Sequence, residues 1–358
     1  MNKRLLTTKY YVAFAFVLMT SLPAQAADVY VPRNSVGESW GSTEGLTQFR
    51  GTPSRSYYGT GPIRDQYQIG WRYPEQPMCA KSDGKRWCGS GWTGQPAVWR
   101  RPDGKLEIIV GTYDRAVHFI DYETGKDLRK PFPTGDIIKG SVTIDPNGFP
   151  LLYFGSRDNK YRILSLQGQE AKQLWALDAK DGVPETKWNN DWDGNSSVVN
   201  DHLVFGGENS WFYTWKLNRG YNGNGQIQVD PKPVVRMRGW NKELLRNVGD
   251  NNVSIESSVA LYESRAYFTN SGGRVVGIDL DKVDNLEAKI VFDFWMGDDV
   301  DASPMVDQDG MLYIAAEYER FLSRAREVGQ LVKLNPYRPE NPLEWKVDIQ
   351  DKAQGKGG

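Results

Sequence analysis

The sequence predicts an all-β fold made of repeated four-stranded units. Its 358 residues include 13 Trp, 18 Tyr, 13 Phe and 37 Gly, a combination of aromatic residues and turn formers that is typical of short strands joined by tight turns. Helical periodicity is confined to residues 241–248. A small or turn-forming residue followed by β-branched or apolar residues recurs five times, and these positions are Pro96, Ser141, Ser197, Ser258 and Pro304.

Each of the five positions is followed by the pattern of a β-hairpin and then by a closing strand. The paired apolar runs are 106–111 with 116–121, 152–155 with 161–164, 203–206 with 212–215, 266–269 with 275–279, and 311–314 with 330–334. An aromatic residue marks several closing strands, as at Trp175 and Trp345. Four strands in about 45 to 60 residues are the sequence form of a propeller blade, so we expect a β-propeller with about five readable blades.

The blades account for residues 94–348, and the segment before them does not form a complete unit. Within residues 27–93, the run 69–73 has the pattern of a closing strand without the first three strands of a blade. Residues 349–358 form a polar tail. Five units and one orphan strand predict a partial chain of a seven- or eight-bladed ring, and a natural open ring or a fivefold closure is the alternative.

The N-terminus has the features of a Sec-type signal peptide. Lys3 and Arg4 precede the apolar stretch 12–22, and Ala24-Gln25-Ala26 is a small-x-small cleavage site. The apolar stretch is too short to span a bilayer, and no other segment resembles a membrane span. We therefore expect residues 1–26 to be removed and the protein to be periplasmic or secreted. An uncleaved N-terminal anchor is the alternative.

Two cysteines agree with export. Cys79 and Cys88 flank a loop that contains Asp83-Gly84. In an oxidising compartment this spacing favours a local disulfide, which would stabilise the fold by roughly 2.5 kcal/mol in the chain-entropy model. Two free thiols or a metal site are the other interpretations.

Composition excludes several classes of function. The formal net charge is −1, so no basic footprint for nucleic acid is present. Only two histidines occur, His118 and His202, so few residues could serve as the base of a Ser-His-Asp or Cys-His catalytic site. No glycine-rich phosphate-binding motif is found.

Acidic residues precede the first strand of units two to five. Asp136, Asp193, Glu256 and Asp301 lie five, four, two and three residues before the repeated positions. The first strand of a blade is innermost, so these side chains converge on one mouth of the central channel. Asp193, Glu256 and Asp301 are candidate Ca²⁺ ligands. Further candidate residues for a cation or a polyhydroxy ligand at this mouth are Asp136, Asn252, Asp298 and Asp299.

Local turn chemistry is the alternative for these acids, since Asp and Asn side chains bond to nearby backbone. Their offsets also differ, and a one-residue offset turns a side chain to the other face of its strand.

Four tryptophans of unit three also allow two interpretations. Trp192, Trp211, Trp215 and Trp240 are either an exposed patch for carbohydrate or protein, or residues buried between blades, and burial is the more ordinary outcome.

Three motifs carry a resemblance to a known family. Residues 49–55 read F-R-G-T-P-S-R, which is similar to an F-R-G-N-x-x-R opening, and 121–126 read D-Y-E-T-G-K, which is similar to a D-x-x-T-G-K turn. Trp71, Trp175 and Trp345 occupy closing-strand positions. The chain thus resembles the pyrroloquinoline-quinone-like (PQQ-like, quinoprotein-type) β-propeller superfamily over roughly residues 45–348.

The sequence departs from the family pattern at a few positions. Thr52 replaces the Asn of the opening motif, and Arg129 occupies the aromatic slot of the first unit. Some members of the family are dehydrogenases that hold the quinone and Ca²⁺ in the channel. Others are scaffolds without a cofactor, such as the outer-membrane assembly lipoprotein of the barrel-insertion machinery.

The resemblance and the absent motifs together favour one function over another. The chain lacks an adjacent Cys pair, a C-x-x-C-H haem motif and a lipid-anchor cysteine. We therefore expect an exported PQQ-like propeller that acts as a binding or scaffold module without a cofactor, for an envelope protein or a small ligand. The alternative is a PQQ- and Ca²⁺-dependent dehydrogenase. A carbohydrate-binding propeller is a third possibility.

Overall fold

Five antiparallel sheets follow one another along the chain. The computed structural model describes residues 27–348 apart from 58, 60, 63, 64, 92 and 93. Four-stranded sheets with sequence-ordered strands repeat through this range, and the first sheet gains one additional strand from the N-terminal segment. This topology is that of a β-propeller, as the sequence predicts, with one sheet for each of the five repeat units.

Three strands precede the blades: β1 (Gly45–Leu46), β2 (Cys79–Ser82) and β3 (Lys85–Cys88). Blade 1 contains β4 (Ala97–Arg100), β5 (Leu106–Thr112), β6 (Ala116–Asp121) and β7 (Phe132–Pro133). Blade 2 contains β8 (Thr143–Ile144), β9 (Leu151–Gly155), β10 (Lys160–Ser165) and β11 (Lys172–Asp178). Blade 3 contains β12 (Ser197–Val199), β13 (His202–Gly206), β14 (Trp211–Lys216) and β17 (Lys232–Arg238), with the hairpin β15 (Gly220–Tyr221) and β16 (Ile227–Gln228) inserted before β17.

Blade 4 contains β18 (Ala260–Tyr262), β19 (Arg265–Thr269), β20 (Arg274–Asp279) and β21 (Lys289–Trp295). Blade 5 contains β22 (Met305–Val306), β23 (Leu312–Ala315), β24 (Leu331–Leu334) and β25 (Leu343–Val347). Helix α1 (Lys242–Val248) lies between blades 3 and 4, and α2 (Ser323–Val328) lies between β23 and β24. Two short 3₁₀ helices span Arg33–Ser35 and Val283–Asn285.

Alternating side chains on each strand pack against the two neighbouring blades. In β9, Leu151 and Tyr153 join a core with blade 3, whereas Leu152 and Phe154 join a core with blade 1. Similar apolar cores fill the spaces between blades 3 and 4 and between blades 4 and 5. Successive side chains of a strand point to opposite faces of its sheet, so the alternating pattern lets each middle strand bury one face against each neighbouring blade.

The N-terminal segment 42–56 runs along the inner edges of all five blades. It pairs with blade 1 through β1 and β4, and the Ile144 amide of blade 2 donates to the Thr47 carbonyl at 2.7 Å. The amides of Leu261 in blade 4 and Val306 in blade 5 donate to carbonyls of this segment. The segment therefore lies on the common axis and satisfies edge groups of strands that have no neighbour on their inner side.

Arg55 fixes this central segment to blades 3 and 4. Its guanidinium is fully buried and donates to the carbonyl of Val259 at 2.9 Å, to the carbonyl of Asn195 at 3.0 Å and to the Asn195 side-chain oxygen at 2.9 Å. Burial lowers the pKa of Arg55 to about 9. The motif at residues 49–55 thus has a structural role at the centre of the propeller.

A disulfide closes the hairpin formed by β2 and β3. Cys79 and Cys88 are directly paired in the ladder and joined by a disulfide bond, which confirms that prediction. Asp83 and Gly84 form the two-residue turn, and both have positive φ, as the tight hairpin requires.

Residues 69–73 are in an irregular segment rather than a strand. Blade 5 has its own fourth strand, β25, so no position in that sheet remains for a strand from the N-terminal segment. Trp71 instead lies against the turn after β6, where its indole N–H donates to the Tyr122 carbonyl at 2.8 Å.

No helix in the described part of the chain is long and apolar enough to cross a membrane. The predicted signal peptide (1–26) and polar tail (349–358) lie outside the described residues.

Candidate functional site

The acids singled out by the sequence gather at one end of the blades. In blades 2, 3 and 4, the turn between the second and third strands bonds to the segment that leads into the first strand. The Glu208 amide donates to the Asp191 carbonyl at 3.0 Å, and the Ser271 amide donates to the Ser254 carbonyl at 2.9 Å. We call this end the acidic mouth, and define it by Asp191, Asp193, Glu208, Glu256, Asp298, Asp299 and Asp301.

A lysine lies at the centre of the blade 3 part of the mouth. The Lys139 ammonium is 2.7 Å from Asp193 Oδ2, 2.8 Å from Glu208 Oε1 and 3.4 Å from Asp191 Oδ2. Arg157 adds a contact of 2.9 Å to Asp191. We call Lys139, Asp191, Asp193 and Glu208 the lysine-centred cluster.

Burial and like charge both act on this cluster. Burial, together with the charge of Glu208, raises the pKa of Asp191 to about 7 and that of Asp193 well above its usual range. Burial alone would lower the pKa of Lys139, but the charges of Asp193, Glu208 and Asp191 outweigh it and hold that pKa above its ordinary value. The ammonium is thus a built-in counter-ion for three carboxylates.

A second group of acids comes from blades 4 and 5. Ser271 donates to Asp301 Oδ1 at 2.8 Å, and its hydroxyl oxygen lies 3.4 Å from Glu256 Oε1. Ser254 donates to Glu256 Oε1 at 2.8 Å. Among the described residues, neither carboxylate has a Lys, Arg or His within 4.0 Å. We call Glu256 and Asp301 the cavity pair.

Protonation of Glu256 reduces the free-energy cost of placing two carboxyl groups side by side in the cavity pair. Burial, with the charges of Glu208 and Asp301, raises the pKa of Glu256 to about 8. Burial also raises the pKa of Asp301. Next to this pair, burial and the charge of Asp301 raise the pKa of Asp299 to about 11. At neutral pH Glu256 and Asp299 therefore hold protons that a nearby cation would displace.

A cavity of about 580 Å³ opens beside the cavity pair. Glu256 and Asp301 line it, and so does Arg50 of the central segment. Its walls are mainly apolar and are formed by Phe49, Met305, Tyr313 and Leu331, among others. This combination of an apolar wall with a few charged groups is characteristic of a ligand site.

Two of the other predicted mouth residues hold loops in place. Asp298 is fully buried and accepts from the amides of Arg320 at 2.9 Å and Phe321 at 2.7 Å. The carbonyl of Asn252 accepts from Arg320 Nη2 at 3.0 Å. Arg320 therefore connects the loops of blades 4 and 5, and both residues position the mouth through their bonds to it.

Asp136 lies apart from the other acids. Its carboxylate accepts from Ser82 at 3.1 Å and from the Ile137 amide at 2.8 Å, and Arg115 is 3.8 Å away. These contacts face the disulfide hairpin and blade 1. Because Asp136 lies five residues before Ser141, whereas Glu256 lies two before Ser258, the two side chains do not share a position.

The lysine-centred cluster contains residues that sequence reasoning missed. Lys139 lies two residues before Ser141, the same offset as that of Glu256 from Ser258. That shared offset is the signal that could have placed it at the mouth. Glu208 lies in the turn between β13 and β14, whose position at the mouth follows from the antiparallel pairing of β12 with β13.

The four tryptophans of unit three are buried. Trp192, Trp211, Trp215 and Trp240 are 1–7% exposed and belong to the core between blades 2 and 3. They leave no aromatic surface for a sugar at those positions. The exposed tryptophan of this region is Trp188, which is 53% exposed.

The structure places the three predicted Ca²⁺ ligands in two groups, Asp193 in the lysine-centred cluster and Glu256 with Asp301 in the cavity pair, and Ca²⁺ binding by them stays a prediction. The carboxylates that lie within 4.8 Å of one another are those of Asp191, Asp193 and Glu208, in the part of the chain that the structure describes. The Lys139 ammonium already contacts all three, so a cation there would have to displace it. The cavity pair offers two carboxylates, whereas Ca²⁺ takes six to eight oxygen ligands.

Comparisons with known proteins add little to the function. No family model matches the sequence, and no curated protein matches it. Many solved structures are similar, among them the crystal structure of BamB from Moraxella catarrhalis, with a TM-score of 0.40 and 11% sequence identity. That alignment covers 63% of this chain and 60% of the BamB chain. The fold assignment therefore rests on the strand topology described above.

Proposed function

We propose that this chain is a binding or scaffold module without redox chemistry of its own, and that its ligand binds in the cavity beside Glu256 and Asp301. The observation that carries the proposal is the contrast in charge compensation at the mouth. Lys139 balances Asp191, Asp193 and Glu208 internally, whereas the cavity pair opens into a 580 Å³ space without such a partner among the described residues. Buried acids without a counter-ion favour an external one.

The chemistry of the cavity defines the class of ligand. Glu256 and Asp301 would bind a cationic group, and the apolar wall formed by Phe49, Tyr313 and Leu331 would bind an apolar body attached to it. A small amine or guanidine and a basic side chain of a protein partner share this chemistry. We place the module in the cell envelope, a proposal supported by the disulfide Cys79–Cys88 and by the signal-peptide pattern.

Titration with matched charged and uncharged probes tests the proposal. Benzylguanidine and its uncharged isostere benzylurea compare the charge alone, by isothermal titration calorimetry. We expect benzylguanidine to bind more tightly, and its affinity to rise between about pH 6 and pH 9 as Glu256 loses its proton. Binding of both probes with equal affinity would contradict the proposal.

A peptide pair separates the two sources of the cationic group. Acetyl-Leu-Arg-Leu-amide and its citrulline analogue present the same contrast on a protein segment. Binding by the arginine peptide but not by benzylguanidine would identify a protein partner. The double variant Glu256→Gln/Asp301→Asn should weaken binding of the charged probe by about tenfold or more.

Asp136→Asn serves as the control, because this acid lies at the same end of the molecule but outside the cavity. An equal loss of affinity in both variants would place binding outside the cavity.

A further inference from the structure

The segment 65–78 lies on blade 1 and is attached there by two aromatic side chains. Most of its residues are exposed, but Trp71 and Tyr73 are partly buried. The Trp71 ring covers Gly125, where a Cβ would lie 2.6 Å from the ring, and its N–H donates to the Tyr122 carbonyl. This face of blade 1 points away from blade 2, because Val117 and Phe119 of β6 are the residues that join the core with blade 2.

Tyr73 enters a chain of short contacts with β6 and its flanking turns. Its hydroxyl lies 2.5 Å from His118 Nδ1 and 2.6 Å from Asp127 Oδ1. On the other side of the ring, His118 Nε2 is 2.9 Å from Asp114 Oδ2. Thr112 completes the chain by donating to Asp114 Oδ1 at 2.5 Å. The imidazole is 7% exposed, so water does not replace these partners.

The number of protons decides whether all contacts can form at once. Tyr73 has one hydroxyl proton for two neighbours. If it donates to Asp127, then Nδ1 of His118 must carry a proton to donate to the phenol oxygen, while Nε2–H donates to Asp114. All three contacts are satisfied only by the imidazolium.

Neutral His118 leaves one contact without a proton. A proton on Nδ1 would leave the Nε2 lone pair facing the Asp114 carboxylate at 2.9 Å, so the neutral ring keeps its proton on Nε2. Nδ1 is then an acceptor, and the Tyr73 hydroxyl can donate to His118 or to Asp127 but not to both. The remaining contact then joins two lone pairs at about 2.5 Å, which is repulsive in a poorly hydrated position.

We propose that His118, Tyr73, Asp127 and Asp114 form a proton-dependent clamp, in which protonated His118 holds segment 65–78 on blade 1 and loss of that proton loosens it. The titratable groups that contact His118 come from the turn before β6 (Asp114) and from the segment itself (Tyr73), with Asp127 behind Tyr73. Loosening would expose the outer face of blade 1.

The neighbouring groups agree with this charge state. Burial alone would raise the pKa of Asp114, but hydrogen bonds from His118 and Thr112 outweigh it and hold that pKa below its ordinary value. Burial, together with the hydrogen bond to Asp127, raises the pKa of Tyr73. Asp114 is therefore ionised and Tyr73 protonated across the range in which a histidine changes charge, about pH 5 to 8.

Hydroxyl-radical footprinting of the full chain tests the clamp, because the segment is attached through its side chains. Protection of the Trp71 ring, read by mass spectrometry, should fall by about threefold between pH 5.5 and pH 8.5. Tyr73→Phe removes the hydroxyl and should give low protection at both pH values. Tyr67→Phe is the matched control, because Tyr67 is 75% exposed on the same segment, and it should behave as the wild type.

Asp127→Asn separates proton counting from a merely structural contact. An asparagine amide can donate to the Tyr73 oxygen, which frees the hydroxyl to donate to neutral His118. This variant should therefore keep its protection at pH 8.5, where the wild type loses it. Equal wild-type protection at both pH values, or a loss in Asp127→Asn equal to that of the wild type, would overturn the proposal.

Discussion

Two groups of carboxylates share the acidic mouth, and they are compensated in different ways. In the lysine-centred cluster, one ammonium contacts Asp191, Asp193 and Glu208 within 3.4 Å. In the cavity pair, Glu256 and Asp301 accept hydrogen bonds from serine hydroxyls. Burial raises the pKa of Glu256 to about 8, so Glu256 retains its proton at neutral pH, and burial also raises the pKa of Asp301. Like charges at one mouth thus form a buried ion cluster in one place and a partly buried candidate ligand site beside it.

The difference shows which acids of a propeller mouth are available for binding. A carboxylate that already has a cation gains little from a ligand and loses its desolvation compensation if that cation leaves. A carboxylate that is neutral by protonation gains a partner when a cationic ligand displaces the proton. Charge compensation, rather than the number of acids, therefore separates the two functions.

Removal of the central ammonium should have the largest effect on this contrast. Within the described ranges, Lys139→Met leaves Asp193 and Glu208 without a cation and Asp191 with Arg157 alone, and we expect the free energy of unfolding at pH 8 to fall by about 3 kcal/mol. The loss should be smaller at about pH 5, because the carboxyls can then be protonated. Urea unfolding at both pH values measures this, with the exposed Lys180→Met as the control. A loss that does not depend on pH would show that Lys139 contributes packing rather than charge.

Removing a carboxylate from the cavity pair should have the opposite effect and raise the free energy of unfolding at high pH. Burial raises the pKa of Glu256 to about 8, so the folded state binds more protons than the unfolded state between the ordinary value of 4.5 and about 8. The free energy of unfolding therefore falls as the pH rises through this interval. Glu256→Gln removes the contribution of Glu256 to this fall in the free energy of unfolding.

The variant should consequently be more stable than the wild type by about 1 kcal/mol at pH 9 and equal to it near pH 5. Thermal unfolding across this pH range provides the measurement. The exposed Glu170→Gln is the control and should leave the pH profile unchanged. A Glu256→Gln variant that is less stable than the wild type at pH 9 would mean that the ionised carboxylate stabilises the fold.

Ca²⁺ should stabilise the lysine-centred cluster only after Lys139 has been replaced. The oxygens of Asp191, Asp193 and Glu208 lie within 4.8 Å of one another, so Lys139→Met creates a position that a divalent cation can occupy. We expect millimolar Ca²⁺ to restore about 1 kcal/mol of stability to Lys139→Met and none to the wild type. Adding Asp193→Asn to the variant should abolish the recovery, and stabilisation of the wild type by Ca²⁺ would contradict the assignment of Lys139 as the resident cation.

The repeats predict the blades because each strand carries its own burial pattern. Alternation in runs such as 151–154 encodes two buried faces, so local sequence is sufficient there. The inner strands are different, since β8 and β22 have two residues each and are completed by backbone bonds from segment 42–56. A hydrogen bond between backbones more than 90 residues apart leaves no pattern in side chains, and this is why the central segment was recognised only as a motif.

The candidate site was predicted in part for a similar reason. Convergence of Glu256 and Asp301 follows from the common direction of the first strands. The ion pair of Asp193 with Lys139 does not, because the sequence pattern at the mouth is a pattern of acids and Lys139 is basic. The offset from the repeated serine, rather than the sign of the charge, is the better guide to which residues meet.

The smallest expected effect comes from the acid that the structure places outside both groups. Asp136 contacts Ser82 and lies 3.8 Å from the half-exposed Arg115, so its ion pair is screened by solvent. Asp136→Asn should change the free energy of unfolding by less than about 0.5 kcal/mol and leave the pH profile as in the wild type. Urea unfolding at about pH 5 and pH 9 is the measurement. If Asp136→Asn lowered the free energy of unfolding as much as Lys139→Met, Asp136 would belong to the buried network of the mouth. The acids of the mouth would then form three groups rather than two.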